Sequence, residues 1–137
     1  MSDSVINAFD VCRIAVEELD ELKAFVVGLA ENLDGSGKSL LLSTTLTVFD
    51  DQDRALDEGT YSISTEWGAT TYGGLTGCVR RSDVLTLTFD TDAAETLGIG
   101  CECRLQLHVD DQSIAALQQG LRRVFATARV PPAHLEL

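Results

Sequence analysis

Residues 101–125, CECRLQLHVDDQSIAALQQGLRRVF, change their hydrophobic period halfway along, and that change decides the fold class. Cys101, Cys103, Leu105, Leu107 and Val109 alternate with Glu102, Arg104, Gln106 and His108, the two-residue repeat of a strand with one buried face. Beyond Asp110 and Asp111, either of which can cap, the spacing becomes helical. Ile114, Leu117, Leu121, Val124 and Phe125 fall on one stripe, and Arg122 and Arg123 sit near the negative end of the helix dipole. A strand running into an amphipathic helix, with further strands upstream, predicts an α+β domain.

Working outward, Leu85, Leu87 and Phe89 alternate with Thr86 and Thr88 as another strand. Thr91 is placed to cap a short helix over Asp92 to Leu97, with Asp92 near its positive end and Gly98 as a left-handed stop. Tyr61, Ile63, Thr65 and Trp67 read as the inward face of a strand, and Gly68, Gly73, Gly74 and Gly77 around Tyr72 predict a bulge or a close backbone approach. Cys12, Ile14 and Val16 alternate with Arg13 and Glu17; Asp20-Glu21 reads as a turn. Leu22 to Ala30 is apolar on both parities, as in a central strand covered on both faces. The turn Asn32-Leu33-Asp34-Gly35-Ser36-Gly37 then joins it to a strand over Leu40 to Val48. Asp50 to Gly59 reads as an exposed acidic connection, and residues 130–137, after Val130-Pro131-Pro132, as a frayed tail. The expectation is a single domain over 1–137, with its ordered core at 10–126. It is a mostly antiparallel sheet of six or seven strands, with one C-terminal helix packed on it and one short helix.

At 137 residues, 45% hydrophobic and 23% charged, the chain can bury a core without disulfides or metal. The formal net charge is -12, and residues 1–60 hold 13 acidic side chains against 4 basic ones. Such a field repels phosphate backbones and anionic membrane surfaces, which argues against direct nucleic-acid or membrane binding, and it speeds encounter with a cationic partner. Met1-Ser2-Asp3-Ser4 lacks the basic region and apolar stretch of an export signal. The expected setting is the cytoplasm, with the four cysteines as reduced thiols.

Three strings invite chemistry. Gly35-Ser36-Gly37-Lys38-Ser39 suggests a phosphate-binding loop, but Asn32 stands where the first glycine belongs and a threonine-rich strand follows where a helix is needed; it reads as a hairpin turn. Cys101 and Cys103, with Cys12, Cys78 and His108, suggest a metal site, yet the one-residue spacing and the shared row with Leu105 and Leu107 favour core burial. Of the two histidines only His108 falls inside an ordered element, His134 being in the tail, and nothing in the sequence places a nucleophile beside His108. The pairs Glu17-Glu18 and Asp50-Asp51 read as solvated acidic surface. No catalytic residue, cofactor or metal is expected.

Taken in order, Ala24 to Ala30 with Asp34-Gly35-Ser36-Gly37, Gln52-Asp53, Tyr61, Tyr72-Gly73-Gly74-Leu75, Leu85-Thr86-Leu87, Asp92 to Gly98 and Ile114 to Phe125 resemble the bacterial immunity protein 10 family. The resemblance implies a non-enzymatic immunity protein that binds and neutralises the toxic domain of a polymorphic or contact-dependent toxin in the cytoplasm. The acidic charge suits a cationic toxin such as a nuclease. Candidate contacts are the acidic residues Asp50, Asp51, Asp53, Asp57 and Glu58, and a second group, Tyr72, Gly73 and Gly74, offering an aromatic anchor beside accessible backbone. Two alternatives stay open: a small-molecule-binding module or enzyme with a pocket near Gly68–Gly77, and a self-associating subunit using exposed strand edges. Oligomeric state is undetermined by sequence.

Overall fold

The computed structural model describes residues 6–19, 24–34, 36–45, 61–126 and 132–137. Within them lie ten strands and two helices, an α+β arrangement. The strands are β1 (Ile6–Val11), β2 (Arg13–Leu19), β3 (Ala24–Ala30), β4 (Ser39–Thr45), β5 (Ser62–Thr65), β6 (Thr70–Tyr72), β7 (Leu75–Arg81), β8 (Val84–Phe89), β9 (Glu102–Leu107) and β10 (His134–Glu136). Helix α1 spans Thr91–Leu97 and α2 spans Asp111–Ala126.

The expected single sheet is in fact two sheets of five strands, ordered β1-β9-β8-β7-β10 and β2-β3-β4-β5-β6. The second is antiparallel throughout, whereas in the first β1 and β10 join as parallel edges on β9 and β7. The chain changes sheet at Cys12, the one residue between β1 and β2. The Val11 carbonyl accepts from His108 N–H at 2.8 Å while the next N–H, that of Cys12, donates to the Ala30 carbonyl at 3.0 Å. The two ends of a single peptide group thus serve different sheets, a non-local choice that local periodicity does not record. The second crossing is at Gly73-Gly74, between β6 and β7.

Both sheets contribute to one buried cluster. Val11, Cys78, Leu85, Leu87, Cys103, Leu105 and Leu107 come from the first, and Phe25, Val27, Leu29, Leu40, Leu42 and Ile63 from the second. Helix α2 lies on the second sheet, against β2, β3 and β4. Asp110 caps it, its carboxylate accepting from Ser113 N–H at 2.7 Å. The Ser113 hydroxyl and then its amide hold the Asp110 carboxyl below the ordinary value. Leu117, Leu121, Val124 and Phe125 are buried, and full burial of each contributes about 1.5–3 kcal/mol. Gly120 permits this approach, since a Cβ there would lie 3.0 Å from Val27 Cγ2 and 3.1 Å from Val16 Cγ1. Near the helix end Arg123 stacks 4.3 Å over the Phe25 ring and bonds Glu18 on β2.

Several local expectations are corrected. Trp67 does not continue the inward row of Tyr61, Ile63 and Thr65; it is 84% exposed. The strand stops at Thr65, whose N–H bonds Ala69 O and whose carbonyl accepts from Gly68 N–H, forming a turn around Gly68 at φ 85°. The cap of α1 is Asp90, which accepts from Ala93 N–H at 2.7 Å, one residue before Thr91. Cys101 is exposed and precedes β9, while Cys103 is buried within it. The frayed tail is instead the edge strand β10, with Leu135 opposite Cys78. The readings at Asp20-Glu21 and Asp50–Gly59 lie outside the described residues.

The core sets an alkaline limit. Burial pushes the Cys78 thiol from 9.0 up to about 12, the Cys103 thiol from 9.0 to about 11, and the Tyr61 hydroxyl from 10.0 to about 12. All three are neutral when protonated and their folded values are raised, so their contribution is intact below about pH 9 and is lost as pH climbs through the folded values. The denaturation midpoint is expected to fall between about pH 9 and about pH 11, with each titrating group adding up to about 1.4 kcal/mol per pH unit. Chemical denaturation across that range checks it; a flat midpoint would refute the assignment.

Candidate partner-binding surface

Of the contact residues expected from sequence, Asp50, Asp51, Asp53, Asp57 and Glu58 lie outside the described residues. Tyr72, Gly73 and Gly74 are described and have different fates. Tyr72 is 66% exposed and ends β6, the edge of the second sheet. Gly73 and Gly74 are half-buried. The Gly73 N–H donates to Tyr61 O at 2.9 Å, and the Gly74 carbonyl accepts from Asp90 N–H at 2.9 Å. Their backbone therefore builds the crossing between sheets, and only Tyr72 presents a free side-chain surface.

Register places further residues on the same face as Tyr72. Tyr72 is opposite Ser62, Ser62 opposite Ser43, Ser43 opposite Val26 and Val26 opposite Glu17. One row along, Thr70, Ser64, Leu41, Gly28 and Ala15 stand in line across all five strands. This face points away from α2, which packs on the Val16 and Val27 side. Leu41 is 42% exposed. Leu41 is not among the contact residues expected from sequence; the signal available was the run Leu40-Leu41-Leu42, apolar on both parities.

The groups suited to chemistry are separately engaged. His108 Nε2 lies 3.0 Å from Asp10 Oδ1, both side chains being exposed. Cys78 and Cys103 are buried with raised values, which keeps them as thiols rather than nucleophilic thiolates at neutral pH. Among the described residues no group of three His, Cys, Asp or Glu side chains is placed to hold a metal ion. In the turn once weighed as a phosphate loop, Asp34 accepts from the Ser36 hydroxyl at 2.6 Å and its amide at 2.9 Å, and these bonds, the hydroxyl first, lower its carboxyl value. This is hairpin chemistry. No helix among the described residues is long and apolar enough to cross a membrane.

The molecule so described is a small, strongly acidic α+β protein of two five-stranded sheets whose distinctive exposed feature is a sheet face. Residues 10–115 match the family model of Immunity protein 10, and the chain belongs to that family. It is therefore an immunity protein of a toxin–immunity system, and the partner that membership implies is a cognate toxin. No curated protein matches the chain.

Proposed function

We propose that this protein acts in the cytoplasm by binding, without catalysis, a cationic toxin domain of a polymorphic or contact-dependent system, and that it blocks that domain's activity. The family match over residues 10–115 carries the reading. The net charge of -12 supports a cationic partner, because complementary fields raise the rate of capture and matter most when a toxin must be stopped before it reaches its target. A nuclease is the toxin class that this charge suits, since an enzyme of nucleic acid carries a basic surface of its own.

The test pairs the chain with the toxin domain encoded by the adjacent gene. Co-expression is expected to restore growth, and the purified proteins to form a one-to-one complex. Association should slow by about tenfold or more between low and moderate ionic strength, the behaviour of electrostatically steered encounter. Rescue with a salt-independent association rate would keep immunity and remove the cationic partner. Absence of both rescue and binding would remove the reading.

A further inference from the structure

The outer face of the second sheet carries an apolar patch around Leu41, with Gly28 opposite it and Ala15 beyond. An antiparallel sheet with one face on the core normally turns polar side chains to water on the other. The first sheet does so for the most part: its outer face carries Thr86 and Thr88 on β8, Glu102, Arg104 and Gln106 on β9, and Glu136 on β10, with Val79, Val84 and Ala8 between them. On the second sheet that face is polar over much of its area, with Arg13 and Glu17 on β2, Ser39 and Ser43 on β4, Ser62 and Ser64 on β5 and Thr70 on β6, but among them lies an apolar patch of Ala15 on β2, Val26, Gly28 and Ala30 on β3, and Leu41 on β4. Small residues flank Leu41, since Gly28 stands directly opposite it and Ala15 beyond. The result is an open groove of about 380 Å³, floored by Ala15, Gly28, Ala30 and Leu41 and bounded by Arg13 and Asp34.

Two turns extend this face at one end. The β3–β4 turn carries Leu33, 76% exposed, and the β5–β6 turn carries Trp67. They are neighbours: Leu40 pairs with Thr65, and the Ser39 N–H donates to Glu66 Oε1 at 2.9 Å. Trp67 and Leu33 are exposed on turns at one end of the sheet and Tyr72 is exposed on its edge strand; exposed aromatic and aliphatic side chains of this kind anchor protein interfaces.

Charge selects the occupant. Glu17, Asp34 and Glu66 are exposed around this face. Of the basic residues, Arg13 is exposed and donates to the Leu33 carbonyl at 3.2 Å, and Lys38 is exposed in the β3–β4 turn. A second copy would bring its own net charge of -12 against these carboxylates, whereas a basic protein would be attracted. We propose that the outer face of the second sheet, centred on Leu41 and the Gly28 groove and flanked by Trp67, Leu33 and Tyr72, is the docking surface for the cationic toxin domain. This rests on the immunity reading above and adds the place of contact.

The experiment measures binding of the adjacently encoded toxin domain to the full chain and to three variants. Leu41→Lys places a cation in the groove, Trp67→Ala removes the aromatic anchor, and Arg104→Ser alters the outer face of the other sheet as a control. All three positions are exposed, and unchanged thermal melting and circular dichroism confirm that each variant folds. Leu41→Lys and Trp67→Ala are each expected to weaken binding by about tenfold or more, and Arg104→Ser to leave it unchanged. Wild-type affinity in both face variants would overturn the docking surface while leaving immunity standing. So would sedimentation showing a wild-type dimer that Leu41→Lys dissociates with toxin binding intact, because the face would then join two copies. A wild-type chain that neither binds nor rescues would overturn the immunity reading, and this surface with it.

Discussion

Tyr61→Ala is expected to destabilise the protein by about 3–5 kcal/mol, the range for deleting a large aromatic side chain from a packed core. Domains of this size have total stabilities of about 5–15 kcal/mol, so the variant should be largely unfolded at the lower end of that range. The reason lies in what one residue joins. Tyr61 is fully buried, with its ring edge-on to Phe125 of α2 at 5.3 Å between centroids and 77° between planes. Its hydroxyl accepts from Leu75 N–H at 3.1 Å, at the start of β7, and its carbonyl accepts from Gly73 N–H. The helix, the crossing and the first strand after it therefore share this one side chain and its backbone. Tyr61→Phe separates the contributions: it keeps the ring and takes the acceptor from a buried N–H, at a cost of about 1–3 kcal/mol. Urea denaturation of both variants checks the pair, and a phenylalanine variant as stable as wild type would show that the hydroxyl is dispensable.

The second large effect is at the crossing itself. Gly74→Ala is expected to cost about 2–5 kcal/mol, the sum of left-handed backbone strain and overpacking. Gly74 has φ 90°, and a Cβ there would lie 2.6 Å from the Cβ of Ala93, which is buried on α1. Neither atom is the end of a flexible chain, so the helix or the strand start must move. Gly98 supplies the control. It has φ 70° but nothing within 4 Å of an added Cβ, so Gly98→Ala carries strain alone and should cost only about 1–2 kcal/mol. The difference between the two melting shifts isolates the packing component. Equal shifts would mean that α1 yields freely and does not fix the crossing.

Much of the secondary structure was legible because one buried face imposes a period. The rows Leu85, Leu87, Phe89 and Cys103, Leu105, Leu107 are buried as alternation predicts, and α2 carries its buried residues at helical spacing. The glycine cluster signalled an irregularity, and the register of β7 against β8 does shift between Leu75 and Gly77. Alternation failed at Trp67 because period alone cannot locate a strand's end; the bonds between Thr65 and Ala69 set it. It failed at Cys101 for the same reason at a strand's beginning. Strand β10 was missed because three exposed residues bearing one apolar side chain have no period to read, and their pairing with β7 lies far away in sequence.

The candidate surface was legible only in fragments. Tyr72 was singled out from its glycine neighbours, and Ala24 to Ala30 showed itself apolar on both parities. That second signal was read as coverage on both faces of a central strand, whereas part of the outer face is open: Gly28 is half-buried and Leu41, opposite it, is exposed. Exposure of a strand face depends on which element packs over it, and α2 packs on the other side.

By itself, then, the sequence determined the α+β class, the alternating rows, the long helix with its acidic cap, the acidic field and the family. Each of these is a local or summed property of side chains, fixed by periodicity, dipole complementarity and charge. Tertiary structure alone decided that the strands divide into two sheets, that Gly73 and Gly74 make one of the two crossings between them, and that one sheet turns an apolar patch outward. Those outcomes depend on hydrogen bonds such as His108 to Val11 and Cys12 to Ala30, which join residues far apart in the chain. A backbone donor can choose among many partners, and the choice is made by the packing of the whole core.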